Sequence, residues 1–222
     1  MAALGGATRA DVHVLVRQRS DALASVTVSV PLFAPGDGDG ADRAELCAHA
    51  NARCASGPAV LRVDWAVNRA AAENGQSPAQ PSVQLPPGLE SLRAGTAFPQ
   101  WGGDVYSYAE GCRERLTETF AKRRGAFEAL AQAGCVLEHD AVAYACATLL
   151  LDVAGNPCLV DVDLGATPPA VVVRRVGAGA AVAAAVDPEL VRYSPTWAPA
   201  RVAESVLAAA WACGAGLHGP TG

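Results

Sequence analysis

The stretch from Ala141 to Leu164 constrains this 222-residue chain more than any other. It holds two aliphatic runs, Ala141 to Val153 and Pro157 to Leu164, separated only by Ala154-Gly155-Asn156. Glycine and asparagine accept the backbone angles of a tight turn. A parallel pair would need a crossover of about a dozen residues. The two runs therefore form an antiparallel hairpin. Cys135 to Glu138 precedes it, and Ala170 to Val176 follows after the break at Pro168-Pro169. Four consecutive strands with short connections make a meander, so the fold class is α+β and not βαβ.

A long helix leads into this meander. From Tyr106 to Ala133, Cys112, Leu116, Phe120, Phe127 and Leu130 fall on one face, and Gly134 ends the helix. Arg113, Arg115, Lys122, Arg123 and Arg124 lie largely off that stripe and read as its wet side. After the fourth strand a bland connection, Gly177 to Arg192, reaches Tyr193-Ser194-Pro195-Thr196-Trp197. A last helix begins near Pro199 and turns Val202, Val206, Ala209, Ala210 and Cys213 inward. Pro195 and Pro199 restrict the backbone around Trp197, which presents the indole at the start of that helix. In a chain with 5% aromatics the ring is an anchor, expected to wedge the helix against the meander.

The first hundred residues carry a second strand-rich region. Val12 to Val16 and Leu23 to Phe33 read as a hairpin, with Val26, Val28 and Val30 alternating with Ser25, Thr27 and Ser29. Asp42 to Cys54 reads as a short helix and Ala59 to Ala66 as a strand around Trp65. Residues 68–82 have the composition of a surface loop, Pro87 to Leu92 starts a short helix, and Phe98 to Gly103 is a compact aromatic loop. The loop Pro35 to Gly40 fails as a calcium site, because Ala41, Asp42 and Ala48 stand where a ligand, a glycine and a glutamate are needed.

Composition removes several function classes. Net charge is −5, and Lys122 is the one lysine among 17 basic residues, so no basic stripe points to nucleic acid. The longest apolar run, Val176 to Val186, is too short for a membrane span. Seven cysteines, an odd number scattered through apolar stretches with no secretory leader, indicate reduced thiols in the cytosol or nucleus. Cys47, His49 and Cys54 are the only metal-type cluster and lack a second pair, so no metal is expected. Gly177-Ala178-Gly179 has Val182 where a dinucleotide site needs glycine, so no cofactor is expected either. Asp161 and Asp163 share a strand face with Asp152 across the hairpin, most simply as the solvated side of an antiparallel sheet. His139 reads as a surface imidazole. No nucleophile motif is present.

The order helix, meander, proline pair, long loop, tryptophan and helix resembles the ubiquitin-conjugating (UBC) fold and its inactive UEV and RWD relatives. Lys122-Arg-Arg-Gly-Ala-Phe-Glu-Ala-Leu130, Ala147-Thr-Leu-Leu-Leu-Asp152, Leu159-Val-Asp-Val-Asp-Leu164 and Tyr193-Ser-Pro-Thr-Trp197 closely resemble the C-terminal module of the BRE family. Leu85 to Leu92 and Phe98 to Tyr108 resemble the stretch that joins that family's middle and C-terminal modules. The resemblance covers residues 85–215 well and 11–84 collinearly. BRE-like proteins are UEV-repeat scaffold subunits of the BRISC deubiquitinase and of a sister nuclear A-complex in the BRCA pathway. They usually carry three modules, and this chain is expected to begin at the second.

The resemblance implies two UEV-like (RWD-like) modules, a degenerate one over 11–95 and a C-terminal one over 104–216. It also implies a cytoplasmic and nuclear scaffold that supports ubiquitin signalling and DNA repair. Its partners would be an MPN-domain metalloprotease, an Abraxas-type companion and a von Willebrand A-domain adaptor, with ubiquitin as a further candidate. Tyr193, Trp197, Arg123 and Arg124 are the structural or partner-binding residues it points to. A conjugating enzyme needs a cysteine after the fourth strand and a nearby asparagine. Residues 177–197 contain neither, so no catalytic residue is expected. A free-standing ubiquitin- or peptide-binding UEV module and an active conjugating enzyme stand as the alternatives.

Overall fold

In a computed structural model of the chain, the described residues are 13–20, 23–33, 40–52, 59–68, 80–153, 155–177 and 183–216. The loop 35–39 and Cys54 lie outside them. The chain is α+β, with two antiparallel sheets whose strands are each in sequence order. Contacts divide it into two units, residues 1–90 with 97–117 and residues 91–96 with 118–222.

The first unit contains β1 (His13–Ser20), β2 (Leu23–Pro31), β3 (Val60–Asn68) and β4 (Gln80–Gln84), ordered β1-β2-β3-β4. Helix α1 (Ala41–Ala52) lies between β2 and β3 in sequence. The expected hairpin is present, with Val14 opposite Val28 and Val16 opposite Val26. The loop expected over 68–82 is corrected at its end, where β4 pairs with β3 and Pro81 stands opposite Val63. Proline cannot donate to a ladder, but β4 is an edge strand and needs donors on one side only. Leu46, Leu61, Val63, Val83, Cys112 and Leu116 are among this unit's buried residues.

The second unit is built on β5 (Cys135–His139), β6 (Cys146–Val153), β7 (Asn156–Asp163), β8 (Ala170–Arg175) and β9 (Ala183–Ala185). They form one meander, β5-β6-β7-β8-β9. Helix α2 (Glu90–Ala94) precedes α3 (Val105–Ala133), whose residues from Glu118 onward belong to this unit, and α4 (Pro199–Gly216) closes it. Side chains alternate along β6 and β7: Leu149, Leu151, Val153, Cys158, Val160 and Val162 are buried. They pack with Leu130 of α3 and Val202, Val206 and Ala210 of α4 in one core.

Two strand expectations are corrected here. The run from Ala141 starts as a turn, and β6 begins at Cys146. The Asp140 carboxylate accepts the N–H groups of Val142, Ala143 and Ala145, and Tyr144 takes a left-handed φ of 49°. A side chain that satisfies three backbone donors outcompetes strand pairing. The connection after β8 is not wholly bland, since Ala183–Ala185 pairs with Val172–Arg174 as a fifth strand.

Candidate functional site

The Tyr193 to Trp197 turn sits between β9 and α4. Val186 donates its N–H to Val171 at 2.9 Å and Val191 is buried, which fixes both ends of the approach. The Asp187 carboxylate accepts the Glu189 N–H at 2.9 Å, and Ser205 of α4 donates to the Arg192 carbonyl at 2.6 Å. The Trp197 N–H closes the turn on the Ser194 carbonyl at 3.0 Å. Lys122 of α3 donates to the Pro195 carbonyl. Pro199 occupies the first helical position, where its missing N–H costs nothing. Gly125 lets it lie close: a Cβ there would come within 2.9 Å of the Pro199 ring.

The indole of Trp197 packs against the core and is partly buried. The Arg201 guanidinium lies over the ring, 4.2 Å from its centroid, a cation–π contact. Beside it runs an open groove of about 520 Å³ lined in part by Leu190, Arg192, Trp197, Arg201, Glu204 and Ala208. Trp211 stands 48% exposed farther along α4. Tyr193 is also partly buried against the core.

The two arginines part company. Arg124 forms an i,i+4 pair with Glu128 at 3.4 Å, as a helix-surface residue does. Arg123 is 5% exposed, which corrects its placement on the wet side of the helix. Its Nη2 donates to the Ser91 carbonyl at 2.9 Å and its Nη1 to Ser91 Oγ at 3.4 Å. Burial pushes the guanidinium pKa down, and the carboxylates of Asp163 and Asp140 offset only part of that, so the net shift is downward. The signal was in the periodicity. Phe120 and Phe127 are seven apart, and position 123 fills the gap on the same face.

The carboxylates do not converge. Asp161 is held by Arg174 at 2.7 Å and by the Thr148 hydroxyl at 2.8 Å. Burial raises its pKa, but those two hydrogen bonds outweigh burial and the net shift is downward. Asp163 accepts the Gly165 N–H at 2.7 Å. Asp152 lies opposite Pro157, four residues along β7 from Asp161, and caps Gly155. This is a sheet face of local pairs, as the simpler expectation had it. His139 is not solitary: its ring stacks on Phe127 with centroids 4.6 Å apart.

Among the described residues the thiols divide into exposed Cys135 and Cys146 and a set held in or against the cores. Cys158 lies buried in β7 and Cys213 on α4 against the core, and burial raises the pKa of both. Burial pushes the Cys112 thiol of the first unit up to about 11. A raised pKa means little thiolate near neutral pH. Cys47 is buried, and His49 pairs with Glu45 at 3.7 Å. Among the described residues no cluster could hold a metal. No family model matches the chain, and no curated protein matches it.

Proposed function

We propose that this chain is a non-catalytic, BRE-like scaffold subunit of a lysine-63-specific deubiquitinase assembly, built from two UEV-like modules. One observation carries the reading. The second unit runs from α3 through the meander to the Trp197 turn and α4, and the connection where a conjugating enzyme keeps its cysteine has none. Two thiols of this unit, Cys158 and Cys213, are in core positions with raised pKa values. An arrangement of this kind supports assembly and argues against thioester chemistry.

In this reading the hydrolytic zinc and its activated water belong to a separate MPN-domain metalloprotease, with an Abraxas-type companion and a von Willebrand A-domain adaptor completing the assembly. The Trp197 turn and the groove along α4 are the contact surface that we assign to the adaptor. Affinity purification of the tagged chain from its own cells, followed by mass spectrometry, tests this. Enrichment of an MPN-domain protease supports the scaffold. Recovery of ubiquitin without any such protease favours a free-standing ubiquitin-binding module.

A further inference from the structure

Residues Ser91–Thr96 belong to the second unit, although the chain before and after them belongs to the first. Their polar attachments run through Arg123 and Thr119. The Arg123 guanidinium gives both of its hydrogen bonds to Ser91. Thr96 Oγ1 lies 3.0 Å from Thr119 Oγ1 and donates to the Leu92 carbonyl at 2.6 Å. Gly95 is pressed against the same guanidinium, where a Cβ would come within 2.8 Å of Nη2. One buried cation and the buried Leu92 side chain therefore hold the segment together.

That cation has carboxylates for neighbours, Asp163 and Asp140. The turn after β7 lies beside it, since a Cβ on Gly165 would stand 3.7 Å from Arg123 Nη2 and 2.9 Å from Asp163 Oδ1. Asp140 is occupied by its own turn, whereas among the described residues Asp163 takes one hydrogen bond, from the Gly165 N–H to Oδ1. A buried guanidinium stripped of acceptors is strongly destabilising. A carboxylate ready to receive it lowers the cost of letting Ser91 go.

We propose that Ser91–Thr96 is a releasable strap latched by Arg123, whose guanidinium serves Ser91 when the strap is down and Asp163 when it lifts. Lifting takes Leu92, 1% exposed, out of its buried position and makes an apolar side chain available.

Amide hydrogen exchange of the full chain, read by mass spectrometry, tests the latch. Arg123→Met keeps the bulk without a stranded charge, and Gly95→Ala wedges the strap while leaving Arg123 in place. Each should speed exchange over 91–96 by about ten- to a hundredfold, with β6 to β8 unchanged within about twofold. Asp163→Asn still caps Gly165 but removes the alternative anion, and should slow exchange over 91–96. Unchanged exchange over 91–96 in both strap variants overturns the proposal. Loss of protection spread equally over β6 to β8 in both makes Arg123 a plain core residue and overturns it too. If Asp163→Asn speeds exchange as much as Arg123→Met does, the second acceptor is refuted.

Discussion

Trp197→Ala is the most informative single substitution at the turn, and its size can be worked from the geometry. Truncating a fully buried tryptophan costs about 3–5 kcal/mol. Here the ring is only partly buried against the core and has Arg201 over it, so it is only partly removed from water. Half of the full cost, about 2 kcal/mol, is the share due to packing. A cation–π contact near solvent adds about 0.5–1 kcal/mol. The sum falls short of the ~5–15 kcal/mol that holds a domain, so the variant should stay folded at 25 °C. Its melting temperature should drop by roughly 10 °C. Arg201→Ala removes the cation alone and should cost only the smaller share, while Trp197→Phe should fall between the two. Calorimetric melts of the three variants beside the wild type measure this. The reasoning is refuted if Trp197→Ala costs less than about 0.5 kcal/mol, or if Arg201→Ala costs as much as Trp197→Ala.

Four further outcomes follow from the same structure. Gly125→Ala should destabilise, because overpacking against the rigid Pro199 ring costs about 1–3 kcal/mol and exceeds the ~1 kcal/mol gained in helix propensity; urea unfolding reads the sign. Incubation with activating enzyme, ATP and ubiquitin should give no DTT-sensitive adduct, as judged on non-reducing gels. Alkylation followed by peptide mapping should modify exposed Cys135 and Cys146 well ahead of buried Cys112 and Cys158. The folded-state pKa of Asp161 is lowered, so its contribution is present above the ordinary aspartate value near ~3.9 and is lost as pH falls through the folded value. The stability gap between wild type and Asp161→Asn should therefore narrow from pH 7 to pH 3 in paired unfolding curves.

Sequence pattern carried the second unit nearly whole, because each device there acts locally. The Gly155-Asn156 turn fixed the β6–β7 hairpin, Gly134 stopped α3, and Pro199 started α4. What escaped was decided by partners that the hydrophobic pattern does not display. Alanines 183–185 have little strand propensity of their own and pair because β8 offers an open edge. Gln80–Gln84 becomes a strand for the same reason, at the edge of β3. Ala141 to Ala145 looked like strand because the three N–H groups that Asp140 satisfies are invisible until the turn closes. Arg123 was the instructive case at the site. Its charge argues for the wet side, but the helical period places it among Phe120, Phe127 and Leu130, where it is buried.

The central claim is that the chain organises a zinc protease and performs no ubiquitin chemistry itself. The most direct measurement compares the pure chain with the assembly eluted from a tagged chain, each given lysine-63-linked and lysine-48-linked tetra-ubiquitin, with and without a zinc chelator. The account predicts that the eluate cleaves lysine-63 linkages in a chelator-sensitive way while the pure chain cleaves neither. An eluate with no such activity, or cleavage by the pure chain alone, would contradict it.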